Sequence, residues 1–379
     1  MDAYIKCDHD KDIYEYAITI IMSNNKLYNE QESIYTHVIR KRMVDHIFNL
    51  VRNRLQKIDY LTITRWFYTQ ILLPPISKID PIIPDNDIKN IGLTYELRKF
   101  GLSNNVIQDV ENLMIQLCKS FDKNKFSYSK LKVEMTKSIY KFTFEDISFV
   151  LSQYYYNKLT NLYKKFTCDN EQKLNEIIFN MLCRYDTLNA PGYHAALPKA
   201  VFDILKIHLK VSHEIFASPL NCTLDSYNSA YYDTDKYFGS KGSFFSTYDD
   251  ILKDGGSFEA NPPFLEEHMA IFAIIAKQYL DKDIPLSFII IMPEWIDTVA
   301  YYMFMESKYN VLSNKRLIFK RHEHYYQNAN LNDIRKFKKP ANNNTLVFFL
   351  QNELGSTKYH ITDNFINNLS YEFKNRNNV

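Results

Sequence analysis

Apolar positions in the first half of the chain recur about once per helical turn. Ile34, Val38, Met43, Ile47 and Val51 follow one another in this way with Arg40, Lys41, Arg42, Arg52 and Arg54 between them, which is the pattern of an amphipathic helix. This character predicts an α-helical domain over residues 1–185. Pro74-Pro75, Pro81 and Pro84 interrupt it, because proline removes an amide donor and clashes with the preceding turn. From about Ala190 the pattern changes to short apolar strands alternating with helices. Val201 to Leu209 reads as a helix, Glu214 to Ala217 and Ser257 to Ala260 as strands, and Phe288 to Met292 and Leu346 to Leu350 as strands buried on both faces. A helix from about Phe264 to Leu280 carries Leu265, Met269, Phe272, Ile275 and Tyr279 on one stripe, with Glu266 and Glu267 at its positive end. This alternation predicts an α/β fold over 186–379, a Rossmann-like, doubly wound parallel sheet covered on both faces. In such sheets ligands bind at the carboxyl ends of the strands, so chemistry belongs in the loops that follow them.

Composition narrows the class. The chain has 379 residues, 46% of them hydrophobic, enough for two cores and incompatible with general disorder. The net charge of +2 points to no particular partner until its distribution is considered. Cysteines 7, 118, 168, 183 and 222 form no C-x-x-C pair, so a reducing, intracellular setting without a structural metal is expected. The first residues lack a secretory pattern, and no run approaches the ~18 apolar residues of a membrane span; a soluble protein with no membrane partner is expected.

Asn261-Pro262-Pro263-Phe264 stands between a predicted strand and a predicted helix. An adenine amine is a poor nucleophile because its lone pair is delocalised into the ring. Acceptors placed on its two N–H groups favour the geometry in which that pair faces a methyl donor. The Asn261 side-chain oxygen and the Pro262 carbonyl supply two such acceptors, Pro263 stiffens the turn, and Phe264 offers a stacking face for an extruded base. Alignment for in-line displacement supplies the rest and needs no metal. The same tetrapeptide also reads as a plain turn in which Asn caps a helix.

Around this motif, Ile215 to Cys222, Asp233 to Ser240 and Gly256 to Phe264 closely resemble the phosphorylated-CTD-interacting-factor family, and the likeness continues through Pro285 to Ile289, Pro293-Glu294-Trp295 and Leu346 to Asn352. The resemblance implies a cap-specific adenosine N6-methyltransferase. It would use S-adenosylmethionine on m7G-capped RNA, acting on the first transcribed adenosine, often already 2′-O-methylated. It implies further that Ala217, Ser218, Pro219, Leu220 and Asn221 border the cofactor, with Asp235, Phe238, Gly239 and Ser240 close by. A Ser-Pro-Leu-Asn turn then stands where a dinucleotide-binding fold would carry G-x-G. Animal members also carry a WW domain for the polymerase tail. Such a domain needs two tryptophans close together, whereas Trp66 and Trp295 are far apart. The WW domain is therefore expected to be absent, and without it the sequence gives no support for polymerase-tail binding.

Basic residues cluster in two stretches. Lys119, Lys123, Lys125, Lys130, Lys132, Lys137 and Lys141 are interleaved with Phe121, Phe126, Tyr128 and Tyr140; Lys315, Arg316, Lys320, Arg321, Arg335, Lys336, Lys338 and Lys339 lie between the last two predicted strands. Such clusters attract phosphates while aromatics stack on bases. The second cluster, led by Lys315, Arg316, Lys320 and Arg321, is the candidate RNA path; a solvated lysine-rich face is the plainer reading of the first. His322 and His324 supply only two imidazoles and no third ligand, and His194 reads as a structural histidine. From the residues alone, three other functions stay open: adenine N6-methylation of DNA or internal RNA, a silent nucleic-acid-binding scaffold, and methylation of a protein amide.

Overall fold

In a computed structural model the described residues are 5–22, 34–54, 97–98, 101–119, 131–167, 173–186, 194–312, 316–329 and 338–375. The prolines at 74, 75, 81 and 84, Trp66, Lys315, and the first basic stretch between 120 and 130 lie outside them. The chain divides into one unit made of residues 1–27 and 192–379 and a second made of 28–191. The first helix, α1 (Asp8–Met22), belongs to the larger unit.

The smaller unit contains α2 (Ile34–Arg54), α3 (Asn104–Lys119), β1 (Lys132–Thr136), β2 (Ile139–Phe144), β3 (Ile147–Ser152), α4 (Gln153–Phe166) and α5 (Leu174–Asp186). The three strands form an antiparallel meander. An all-helical segment up to 185 is thus corrected. Phe142 and Phe144 of β2 and Ile147, Phe149 and Leu151 of β3 are buried at every second position, which is strand spacing. The two tight turns place Lys137 and Glu145 at φ 56° and 53°. Phe144 and Phe149 meet Phe179 of α5. Lys132 and Lys141 of the first basic stretch are exposed on this meander and Lys137 on its turn.

The larger unit is built on a six-stranded sheet. Its elements after α1 are β4 (Ala195–Ala196), α6 (Lys199–Leu209), β5 (His213–Ala217), β6 (Tyr227–Ser229), α7 (Tyr232–Asp235), α8 (Phe244–Leu252), β7 (Gly256–Ala260), α9 (Glu266–Leu280), β8 (Leu286–Pro293), α10 (Val299–Met305), β9 (Leu317–Phe319), β10 (Tyr325–Asn328), β11 (Lys338–Pro340), β12 (Thr345–Gln351), α11 (Glu353–Lys358) and α12 (Asp363–Lys374). Strand order is β6-β5-β7-β8-β12-β9. The pairs from β6 to β8 are parallel, whereas β12 runs antiparallel to both β8 and β9. A run of apolar residues buried on both faces looks the same in either direction, so the reversal of β12 was not readable from its sequence.

Helices cover both faces. On one side α6 and α12 pack Val201, Phe202, Leu205, Phe365 and Leu369 against Ile289, Ile291, Val347 and Phe349. On the other, Phe216, Phe244, Phe272, Phe288, Phe304 and Phe348 form a chain of tilted and edge-to-face rings. At the start of β7, Gly255 sits at φ 72° and an added Cβ would lie 2.5 Å from the Pro285 carbonyl oxygen, so only glycine lets the chain enter this strand beside β8. A second, small antiparallel sheet has the order β11-β10-β4. Among the described residues no helix is long and apolar enough to cross a membrane.

Candidate active site

The parallel strands end along one edge of the sheet. Ala217 pairs with Ser229, Glu214 with Glu259, and Ala260 with Ile290. This register aligns the loops after β5, β6, β7 and β8, and it brings most of the residues singled out in the sequence to a common edge.

After β5 the chain forms a closed turn. The Ser218 amide donates to Asn221 Oδ1 at 2.7 Å and the Ser218 hydroxyl to the same oxygen at 3.0 Å. The Asn221 and Cys222 amides return to the Ser218 carbonyl at 3.1 and 2.9 Å. The side chain of Asn221 therefore shapes the turn that carries Ala217, Ser218, Pro219 and Leu220. After β6, Ser229 and Ser240 share a hydroxyl contact of 2.6 Å, the Tyr227 hydroxyl donates to the Phe238 carbonyl at 3.0 Å, and the Ser240 amide donates to the Asp235 carbonyl at 3.3 Å. Gly239, at φ 94°, closes that turn. Asp235 is fully buried and accepts the Thr234 hydroxyl at 2.9 Å.

Asn261 follows β7 directly. Its side-chain nitrogen donates to the Ala195 carbonyl at 3.0 Å. Ala195 offers only an acceptor there, so the amide orientation is fixed and Asn261 Oδ1 faces the opposite way. The small sheet holding Ala195 is anchored where the Ala329 amide donates to the His194 carbonyl at 3.3 Å; His194 itself is buried. Within the loop, the Leu265 amide turns back onto the Pro263 carbonyl at 2.6 Å, which leaves the Pro262 carbonyl outside that contact. Phe264 is half-buried and meets Trp295, just past β8, edge to face at 6.2 Å between ring centroids.

The second basic stretch reaches the same edge through β9. Phe319 pairs with Thr345, and Thr345 with Pro293, so Lys320 and Arg321 follow β9 at the same edge, with β12 between them and the end of β8. Arg316 is one strand length away, its guanidinium carbon 5.9 Å from the centre of the Tyr301 ring. Lys338 and Lys339 fall on β11, whereas Lys315, Arg335 and Lys336 lie outside the described residues. His324 is buried, with Nδ1 3.0 Å from the Lys320 carbonyl and Nε2 2.8 Å from the Thr345 hydroxyl. Burial lowers its pKa to about 4. His322 accepts from Arg321 Nε at 2.8 Å.

Three groups near the site had no assigned role in the sequence reading. Asn344 joins Glu294 to Arg321: it donates to Glu294 Oε2 at 2.7 Å and accepts from the Arg321 amide at 2.8 Å. Ala195 acts through a carbonyl, which no side-chain pattern reveals. Glu259, next to the loop, is buried; burial first, and then the Glu214 carboxylate, hold its carboxyl well above the usual range. Glu214 Oε1 accepts the Thr223 amide at 2.6 Å and also the Leu224 amide. An acidic residue inside a strand read as apolar was the available signal for this pair.

The fold and this edge define a mixed α/β protein whose central, mostly parallel sheet fits a methyltransferase. A family profile described as "Phosphorylated CTD interacting factor 1 WW domain" matches residues 158–329. Two curated relatives, from Homo sapiens and Mus musculus, both named mRNA (2′-O-methyladenosine-N(6)-)-methyltransferase, are each 34% identical over 238 residues, covering 59% of this chain and 33% of the relative. Over these stretches the chain is similar to the phosphorylated-CTD-interacting-factor family, and it spans about a third of the length of these relatives. The profile's description names a WW domain, against the expectation drawn from the two distant tryptophans; the matched stretch contains Trp295 and not Trp66.

Proposed function

We propose that this chain uses S-adenosylmethionine to methylate N6 of the adenosine next to the m7G cap of RNA, in a Rossmann-like methyltransferase domain running from about residue 186. The observation that carries this reading is the tethered amide of Asn261. With its nitrogen held by Ala195, its oxygen is preset as an acceptor at the carboxyl edge of the sheet. The Pro262 carbonyl is the second acceptor, so the two N6 protons are held and the lone pair is directed out of conjugation. Phe264 supplies the stacking face. When bound, S-adenosylmethionine supplies the sulfonium methyl. Asn261 and Pro262 would hold the amine in line while its nitrogen takes the methyl group, the S–C bond breaking as the N–C bond forms so that S-adenosylhomocysteine leaves, and one N6 proton would pass to solvent water.

The residues present fit that cofactor by their chemistry. The turn from Ala217 to Asn221 and the turn from Asp235 through Phe238, Gly239 and Ser240 border one end of the sheet, and the Asp235 carboxylate is the kind of acceptor that hydroxyls and an ammonium group require. Lys320 and Arg321 are assigned to the RNA phosphates, with Arg316 and Lys315 continuing the path. Names of the human and mouse relatives support the choice of substrate. Polymerase-tail binding is not part of this reading.

The test is methyl transfer from labelled S-adenosylmethionine to matched short RNAs beginning m7GpppA, pppA and m7GpppG, followed by nucleoside analysis. N6-methylation confined to the first supports the reading. Equal transfer to pppA would reject cap specificity and keep the chemistry, and no transfer to any of them would reject both.

A further inference from the structure

Asn344 occupies the step between β11 and β12, where three segments converge. Its carbonyl accepts the Glu294 amide at 3.0 Å, its Nδ2 donates to Glu294 Oε2 at 2.7 Å, and its Oδ1 accepts the Arg321 amide at 2.8 Å. One side chain therefore bridges the end of β8 and the end of β9, and both its donor and its acceptor are engaged. The residue after Glu294 is Trp295, whose own amide donates to the Pro293 carbonyl at 2.8 Å and whose carbonyl accepts the Thr298 hydroxyl at 3.0 Å. Its backbone is thus held on both sides, and its indole stands at 70° to the Phe264 ring, 6.2 Å between centroids. In that edge-to-face arrangement one ring fixes the plane of the other and leaves a face uncovered. A flat face held in a fixed plane is what a stacked base requires; a ring free to rotate would have to be ordered by each substrate.

We propose that Trp295 is a positioning residue that fixes the plane of Phe264, and that the Glu294–Asn344 strut ties its placement to the Lys320–Arg321 segment. The strut thereby registers an RNA held by its phosphates on Lys320 and Arg321 with the base pocket at Asn261 to Phe264. This inference rests on the function proposed above for the identity of the base.

The chain contains only two tryptophans, Trp66 and Trp295, so this 379-residue chain with Trp66→Phe has Trp295 as its single indole. In that background, Asn344→Ala and Asn344→Asp are expected to shift Trp295 emission to longer wavelength without any ligand present. The Asp variant keeps the acceptor for Arg321 and sets a carboxylate against Glu294. With m7GpppA-initiated RNA, Trp295→Ala is expected to raise KM for RNA by about tenfold, the order of one base-stacking contact, because Phe264 loses its fixed plane. The KM for S-adenosylmethionine stays unchanged, and Trp295→Phe restores most of the effect. Unchanged emission in both Asn344 variants would overturn the strut, and an unchanged RNA KM in Trp295→Ala would overturn the positioning role. The emission comparison needs no substrate, so it decides the strut even if the parent protein transfers no methyl group and the proposed function falls.

Discussion

Two side chains at the end of β7 carry opposite demands. Asn261 needs a fixed amide; Asn261→Ala removes the acceptor and is expected to lower kcat by about 10²–10³-fold, the usual loss for one preorganised partner of the reacting group. Asn261→Asp keeps the acceptor oxygen but sets a second oxygen, in place of the donor nitrogen, against the Ala195 carbonyl, which accepts 3.0 Å away, so it is expected to do no better. Cofactor binding by calorimetry should be intact in both; a variant with unchanged turnover would remove Asn261 from the chemistry. Glu259, two residues earlier, is held protonated by burial and by Glu214. Its unfolded carboxyl ionises near the ordinary value of 4.5 while the folded one resists. This group's contribution is therefore complete at acid pH and is lost as pH rises from that value toward the folded one. Glu259→Gln removes the loss, so its stability relative to wild type should increase from pH 5 to pH 8 in urea unfolding. A constant difference across that range would show that the carboxyl is not protonated in the native state.

At the level of elements, the joint between β12 and α11 shows what sets the sheet's geometry. Asn352 Oδ1 accepts the Leu286 amide at 3.1 Å and the Gly355 amide at 2.9 Å, while its Nδ2 donates to the Lys282 and Ile284 carbonyls at 3.2 and 2.6 Å. The approach is so close that a Cβ on Gly355 would lie 1.9 Å from the Leu286 carbonyl oxygen. Gly355→Ala should therefore displace β8 and cost about 1–3 kcal/mol or more, read by thermal unfolding. His213 and His324 act in the other pH direction from Glu259. Burial lowers both from 6.5 to about 4, so the unfolded chain takes up protons first and stability falls as pH drops from 6.5 toward 4. His213→Gln should flatten part of that fall; no change in slope would mean that the ring is exposed in solution. The strands and helices around these groups were legible because their periods are simple. β5, β7, β8, β12 and α6 fall within a few residues of their predicted places. What was hidden depends on partners distant in sequence. The Asn261 loop could be found, but its tether to Ala195 could not, and the β1–β3 meander was obscured because its alternation lies inside a lysine-rich stretch.

For the whole molecule, the sheet unit is discontinuous in sequence: residues 1–27 join 192–379. The reason lies in α9. Its apolar stripe predicted one buried face, yet from Glu267 to Ala276 every residue is buried, and a helix buried all round needs cover on two sides. The sheet provides one. Helix α1 provides the other, packing on α9 with Ile13 and Ala17 buried, while Lys6 Nζ lies 3.4 Å from the centre of the Tyr302 ring. Because α9 begins just after Phe264, α1 indirectly supports the helix on which the candidate catalytic loop is mounted. Ile13→Ala should destabilise this unit by about 2–5 kcal/mol, the range for a buried isoleucine truncated in a packed site. Unfolding followed by Trp295 emission in the Trp66→Phe protein would register that loss directly. If the Ile13→Ala midpoint matched its parent, α1 would be a dispensable attachment and α9 would have to be covered by something else. A lowered midpoint that recovers with S-adenosylhomocysteine in excess, about 2.7 kcal/mol at a hundredfold over Kd, would instead show that the first helix and the cofactor stabilise the same folded unit.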